Sequence, residues 1–598
     1  MFEKLQLKIK NKKLIYALMV IFVIGISLVQ YYTIEVGYRR DINAIIMMKP
    51  MHQVSGLIIT LTLNAILILI IKNIKASLMV SSTAFSVFAV INHYVTILHG
   101  TPFNILMVKN LKTAADVLTN YKIEIDVQVV YVLVLFALQL AVILVMFGKT
   151  KVKRIITLPV TVVMVCLLVV FYGIKGSVIP RDATSWSWDA AIAEYGYTSC
   201  FVSNCVQSMN VPVKPAEYDE QAVENYVNSF INKEEGTNTP DIILILNESF
   251  YDLNQITDIN TDVDYLSYIN SLENSVTGYA VVPNAGGGTN RSEYELLTSN
   301  SLATNTNITP FNDLDIAGTN SVVSYLEAKG YSTLGTHPYT SANYMRNSAY
   351  PGIGFDYVYF DTDFTDTDYY YNRHYVTDES VYKNMLRWYE EMPQGPRFMY
   401  MLTIQNHAAY THDEPEHDIV HTQNDYGEKT EEINEYLTSM YVSDRAFETL
   451  VEYYKDSDRD VIICMVGDHA PAFAKNYIDE NYSAQEAEIR IRSTPYVIWS
   501  NNIDLTETDS SKYERISLNY LTPVVMELAG MDLSGYYEYL TELRNDIPVI
   551  TNFGVFVTKD GKTYSYEEDS EYKESVDLYF DLCYANMKNR EFMKEYAN

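Results

Sequence analysis

The chain has 598 residues, 48% of them hydrophobic, with 44 Lys+Arg against 75 Asp+Glu and a net charge of −31; it is too long for one ordinary domain and too apolar in places to be disordered. The charge is unevenly placed, since 17 basic and 6 acidic residues stand before Lys175 and leave 27 and 69 for the remainder. A basic first third joined to an acidic body argues against a nucleic-acid binder, which needs basic density on its folded surface, and suggests a membrane anchor followed by a solvated domain. Charge-free apolar stretches predict five membrane helices near 14–34, 52–71, 77–98, 128–147 and 155–174, each close to the ~20 residues that cross a bilayer. Three basic clusters flank them: Lys4, Lys8, Lys10, Lys12 and Lys13; Lys72 and Lys75; Lys149, Lys151, Lys153 and Arg154. Positive residues stay inside, so the expected topology has a cytoplasmic N-terminus and an extracellular body, with Arg39, Arg40 and Lys49 in the first outer loop dissenting.

These signals divide the chain into a transmembrane domain over 1–175, a juxtamembrane connector over 176–240, and an extracellular domain over 241–598 with a small C-terminal subdomain. In the connector, Trp186 and Trp188 suit the lipid–water boundary. Cys200 and Cys205 are near enough for one local disulfide loop, although free thiols fit a chain of five cysteines at least as well.

Beyond Pro240, short apolar runs alternate with amphipathic stretches. Ile242–Asn247, Ser332–Gly335, Phe398–Ile404, Val461–Val466 and Thr494–Trp499 read as buried strands of a largely parallel sheet. Asp378–Glu391 and Thr430–Tyr454 read as covering helices, which gives an α/β sandwich. Gly554–Val557 and Thr563–Tyr566 flank Lys559-Asp560-Gly561, a hairpin signal, and a last helix is expected over Glu571–Glu595.

Ligands of such sheets gather beyond the carboxyl ends of strands. Those ends deliver Glu248, Gly467-Asp468-His469, Asn406-His407 and His337. Between Glu248 and His337 lies Gly286-Gly287-Gly288-Thr289, followed by a helical stretch over Ser292–Ser299. Glycines let the backbone come close to a ligand, and Thr289 then stands at a helix N-terminus, which favours negative charge. The chemistry suggested is metal-assisted displacement at phosphorus. Threonine is a poor nucleophile at neutral pH, and a divalent cation held by Glu248, Asp468 and His469, with the Thr289 oxygen as fourth ligand, can activate it. That donor set suits Mn²⁺, with Mg²⁺ or Zn²⁺ as alternatives. Arg346 can pair with phosphate oxygens bidentately or be an ordinary solvated arginine. His407 can donate to a phosphate oxygen or protonate the leaving group.

In Asn247-Glu248-Ser249-Phe250, Gly288-Thr289 with Ser292-Glu293-Tyr294, Arg346, Asn406-His407 and Gly467-Asp468-His469, and in His99-Gly100-Thr101-Pro102-Phe103, the chain resembles the lipoteichoic acid synthase family. These are membrane phosphoglycerol transferases of the sulfatase and alkaline phosphatase-like superfamily. The resemblance covers nearly the whole chain and implies a multi-pass α-helical membrane domain followed by an extracellular α/β sulfatase-like domain. It implies covalent catalysis by Thr289, metal ligation by Glu248, Asp468 and His469, and substrate contacts from Arg346, His407 and His337. It also implies phosphatidylglycerol as donor, diacylglycerol as leaving product, and a polyglycerolphosphate chain or glycolipid as acceptor. Tyr344 stands where the family commonly has a tryptophan on the substrate side, and Ala408-Ala409-Tyr410 replace a proline and an aromatic. Both departures bear on the acceptor more than on the reaction class. The alternatives are decoration of a surface glycan with glycerol phosphate, phosphoethanolamine transfer, hydrolysis by a sulfatase or phosphatase, and a catalytically dead envelope scaffold.

Overall fold

The computed structural model describes residues 12–38, 45, 47–99, 102–105, 125–147, 151–173, 188–209, 212–229, 238–306, 308–370, 374–410, 418–533 and 535–588. Trp186, Arg39, Arg40, Gly100, Thr101, Lys149, Lys4, Lys8, Lys10 and the predicted helical residues 589–595 lie outside them. The chain forms two compact units: Met1–Val211 with Ala342–Asn347, and Pro212–Ser341 with Ser348–Asn598.

The first unit holds α1 (Lys12–Gly37), α2 (Pro50–Ile71), α3 (Ile74–His99), α4 (Val127–Met146) and α5 (Arg154–Gly173). All five are long and apolar enough to cross a membrane, within a few residues of the predicted spans. Several of their polar side chains bond across helices, a pairing that hydrocarbon surroundings favour. Gln30 of α1 donates to Ser81 and Ser82 of α3 at 2.9 Å each, and Asn64 of α2 donates to Gln30 Oε1 at 2.6 Å. Gln139 of α4 donates to Thr33 of α1 at 2.9 Å. The expected connector is partly helical, with α6 (Trp188–Tyr195), α7 (Tyr197–Gln207) and α8 (Glu220–Val227). Trp188 is buried in a cluster with Ile34, Ile192, Tyr197, Cys200 and Met345, so its indole packs against protein side chains. None of the five cysteines, all of them among the described residues, forms a disulfide.

The second unit is built on an eight-stranded sheet. Its strands are β1 (Asp241–Asn247), β2 (Ser275–Val281), β3 (Ser332–Thr336), β4 (Tyr357–Tyr359), β5 (Arg397–Leu402), β6 (Val461–Gly467), β7 (Ser493–Ser500) and β8 (Arg515–Ser517). In the order β8-β2-β7-β6-β1-β5-β3-β4, only β7 runs antiparallel to its neighbours. Every residue of β1, β5 and β6 is buried, as expected of parallel strands covered on both faces. Ile243 and Ile245 of β1 pack in one core with Tyr382, Met385 and Trp388 of α10 (Asp378–Glu391) and Tyr436, Met440 and Phe447 of α11 (Thr430–Tyr454). By strand alternation Ile242, Leu244 and Leu246 serve the other face. Three strands were not foreseen. In β2 the interior Gly278 breaks the apolar pattern, and it is needed there because a Cβ would lie 2.1 Å from the Tyr513 carbonyl oxygen. In β4 and β8 three residues are too few to carry a period. Beyond the sheet, β9 (Val549–Ile550), β10 (Val555–Val557) and β11 (Thr563–Ser565) form a small antiparallel sheet containing the predicted hairpin, and a final helix spans Lys573–Lys588.

Candidate active site

Strand register creates the site. β1 and β6 are parallel neighbours with Asn247 opposite Gly467, so the next residues, Glu248 and Asp468, leave the same edge side by side, and His469 follows. One ligand atom from each of Glu248, Asp468 and His469 lies within 4.8 Å of the others, and all three are buried. Gly467 permits this closeness: a Cβ there would lie 1.8 Å from the Phe250 carbonyl oxygen. Ser249, which the sequence argument overlooked, holds the two carboxylates. It sits in the left-handed region at φ 50°, costing about 1 kcal/mol or more for a non-glycine residue. From there its N–H donates to Asp468 Oδ1 at 2.7 Å and its hydroxyl donates to Glu248 Oε1 at 2.9 Å.

Thr289 opens α9 (Thr289–Thr298), with Gly288 as N-cap in the left-handed region at φ 79°. Gly286 and Gly287 also have positive φ, at 146° and 66°, so the triple glycine serves backbone conformation first. The Thr289 side chain is close enough to the Asp468 carboxylate to favour its charged form, the weakest of the influences on that group. Ser292, one turn on, donates to the Asp468 carbonyl at 2.7 Å and ties α9 to the end of β6.

The cluster is electrostatically unfinished. Asp468 is pushed up to about 7, first by burial and then by the Glu248 charge. Burial works against a charged His469, but Asp468 and Glu248 raise it above its ordinary value. His469 Nδ1 lies 2.9 Å from the Ala470 carbonyl, an acceptor that keeps a proton on Nδ1, so Nε2, 3.2 Å from Asp468 Oδ2 and 3.7 Å from Glu248 Oε1, is the nitrogen whose lone pair a cation would take and which holds the second proton when the ring is charged. Asp468 Oδ2 is itself buried without a hydrogen-bond donor. Two carboxylates and an imidazole lone pair converging away from water fit a divalent cation.

Behind the cluster lies a buried polar network. Asn247 donates to Asp378 at 2.8 Å, and Asn406 donates to Asn247 at 3.2 Å and to Ser443 at 2.9 Å. Burial pushes Asp378 up to about 6, opposed by hydrogen bonds from Ser443 and Asn247. Glu248 N–H also donates to Thr403 at 3.1 Å. Asp378 opens α10 next to a capping Thr377, which hid it among ordinary helix starts.

The remaining predicted residues fall in different surroundings. His337, at the end of β3, is buried with Nδ1 3.2 Å from the Leu402 carbonyl. His407 is partly exposed, with Nδ1 3.2 Å from the Tyr375 hydroxyl. Tyr344 and Arg346 belong to the first unit, where the Arg346 guanidinium stands 5.1 Å from the Tyr344 ring. Arg346 is 1% exposed, so it is not the solvated arginine that the sequence left open.

Residues 240–531 match the model of the Sulfatase family. Over 335 residues, 54% of this chain and 50% of the other, the sequence is 24% identical to a Rhizobium meliloti (strain 1021) protein whose provisional name is cyclic beta-1,2-glucan modification protein. Over 246 residues, 40% of this chain and 33% of the other, it is 24% identical to lipoteichoic acid synthase 2 of Bacillus subtilis (strain 168). The aligned part thus spans half or less of the length of these curated relatives. Among solved structures, it is similar to the Streptococcus pyogenes phosphoglycerol transferase GacH in complex with sn-glycerol-1-phosphate, with a TM-score of 0.51 and 19% identity over 64% of this chain and 97% of that one. The second unit has the sulfatase and alkaline phosphatase fold.

Proposed function

We propose that the protein is a metal-dependent phosphoglycerol transferase of the cell membrane, with a cytoplasmic N-terminus and an extracellular catalytic unit. The observation that carries this reading is a threonine at a helix N-terminus, within reach of the Asp468 carboxylate, beside a buried Glu248, Asp468 and His469 cluster. A divalent cation held by those three residues, Mn²⁺ in preference to Mg²⁺ or Zn²⁺, would lower the pKa of the Thr289 hydroxyl and offset phosphate charge. Asp468 orients the hydroxyl for attack on the phosphorus of phosphatidylglycerol. The Thr289 hydroxyl gives up its proton to solvent and the new Thr289 O–P bond forms as the P–O bond to diacylglycerol breaks, leaving a glycerophosphoryl-threonine. His407, oriented by the Tyr375 hydroxyl, supplies the proton that the diacylglycerol oxygen takes up. The hydroxyl of a polyglycerolphosphate chain or glycolipid then attacks the same phosphorus, passing its proton to His407, and the Thr289 O–P bond breaks as Thr289 takes a proton back from solvent and returns to its alcohol. His337 is proposed as a further contact to the substrate. The sequence motif assigns the phosphate oxygens to Arg346, with Tyr344 beside it.

A second reading changes the acceptor alone: the glycerol phosphate passes to a surface glycan. It is favoured by the name of the Rhizobium relative and by the substitutions at Tyr344 and Ala408-Ala409. The test uses the full-length protein with fluorescent phosphatidylglycerol. Thr289→Ala is expected to abolish diacylglycerol release while retaining metal, and the wild-type peptide containing Thr289 is expected to carry a glycerol phosphate adduct when acceptor is withheld. Undiminished release by the variant removes Thr289 as nucleophile. Free glycerol phosphate as the sole product with every acceptor marks a hydrolase instead.

A further inference from the structure

Within the first unit, α1, α2 and α5 and the first turn of α3 enclose a groove of about 1040 Å³. Its wall is apolar, with Met19, Val23, Leu61, Ala65, Val160 and Met164 among the lining side chains. The threonines in the wall are already engaged: Thr161 donates to the carbonyls of Ala65 at 3.2 Å and Thr157 at 2.9 Å, and Thr157 donates to the Arg154 carbonyl at 3.5 Å. The wall therefore suits a hydrocarbon chain. Its depth suits one too. Lys153 and Met164 both line it, and eleven residues of helix at ~1.5 Å each make about 16 Å, half of a ~30 Å hydrocarbon core.

One end is basic. Lys151 and Lys153 line the groove, and the loop carrying them is pinned to the α2–α3 turn. Val152 N–H donates to the Lys72 carbonyl at 3.1 Å, and Asn73 pairs with Lys151 in an antiparallel bridge. Among the described residues no Asp or Glu lines the groove, and no ion pair engages these lysines.

We propose that this groove binds an anionic phospholipid, with one acyl chain along the wall and the headgroup phosphate at Lys151 and Lys153. It is a lipid site separate in its residues from Glu248, Thr289, Asp468 and His469, and it does not depend on the reaction proposed above. Charge complementarity selects this occupant: a zwitterionic lipid gains little from two ammonium groups that have no carboxylate partner among the described residues, and diacylglycerol has no phosphate to offer them.

The test is native mass spectrometry of full-length protein in micelles, delipidated and then given equal amounts of phosphatidylglycerol, phosphatidylcholine and diacylglycerol with the same acyl chains. Wild type is expected to retain one phosphatidylglycerol per chain in roughly tenfold or greater preference, since each lysine near a headgroup contributes about a factor of five. The double variant Lys151→Gln/Lys153→Gln should bring that preference near parity. Val160→Trp, placed at a side chain that is 53% exposed and so free to grow, should reduce retention of every lipid by filling the groove. Equal retention of the three lipids by wild type, an undiminished preference in the lysine variant, or full retention by Val160→Trp would each overturn the proposal.

Discussion

Asp468 carries more of the candidate site than any other residue. One of its oxygens accepts from Ser249 N–H, the other faces His469 without a donor, and its backbone carbonyl anchors Ser292 of α9. Asp468→Asn keeps the size and the Ser249 hydrogen bond and removes the charge. Bound divalent metal, measured by elemental analysis, should fall well below one ion per chain, and transfer activity should drop about 100-fold or more. The metal-free variant should melt no lower than metal-free wild type, because burial and Glu248 already oppose the Asp468 charge; a lower melting point would mark a structural role instead. Glu295 on α9 offers a cleaner titration. Burial pushes it from 4.5 up to about 7, while its carboxylate accepts from Leu302 N–H at 2.7 Å. The folded chain therefore holds a proton that the unfolded chain has released. Stability from this group is complete below about 4.5 and is lost as pH rises toward 7, a change of about 3 kcal/mol. Glu295→Gln preserves the acceptor and removes the titration, so its melting temperature relative to wild type should climb between pH 5 and pH 8. A difference that stays flat across that range would show that Glu295 does not titrate there.

Among the elements, the turn after β1 and the end of β6 are fitted together with no room to spare. Gly467→Ala would place a methyl against the Phe250 backbone oxygen at 1.8 Å, and a backbone atom cannot swing aside as a side chain can. The expected cost is about 3 kcal/mol of stability, with loss of metal because Glu248 and Asp468 are forced apart; thermal unfolding and metal content measure both. An alanine variant that binds metal normally would show that this turn can relax. The same pair of strands shows what local sequence can reveal. Ile242–Asn247 and Val461–Val466 were legible because a parallel strand buried on both faces is a continuous aliphatic run. β2 was not, because its glycine answers to Tyr513, more than two hundred residues away in sequence. The end residues Glu248, Asp468, His469 and Thr289 could be named from their places after strands and before a helix. Ser249 and Asp378 could not, because a serine in a turn and an aspartate at a helix start are ordinary, and their importance lies in what they touch.

At the scale of the whole molecule, the chain divides into an apolar helical unit and an α/β unit, each with its own buried polar groups. In the first, Glu35 at the end of α1 caps α7, accepting from Tyr197 N–H and Thr198 N–H at 2.9 Å and from the Thr198 hydroxyl at 2.8 Å. The α7 N-cap residue, Gly196, has no side chain to do this. Glu35→Ala should cost about 2 kcal/mol through the orphaned donors, lowering the melting temperature in detergent while metal content stays at the wild-type level. Metal lost in proportion would mean that the units do not hold their structures independently. The division itself was written in the sequence, since hydropathy, charge and strand periodicity are properties of neighbouring residues and survive without any knowledge of the fold. Tertiary structure alone decided that Glu248 stands beside Asp468, that Ser249 binds both, that Glu35 caps a helix some 160 residues on, and that the loop carrying Lys151 and Lys153 is pinned to the turn between α2 and α3. Those are contacts between distant segments, set by strand register and helix packing, and no local pattern encodes them.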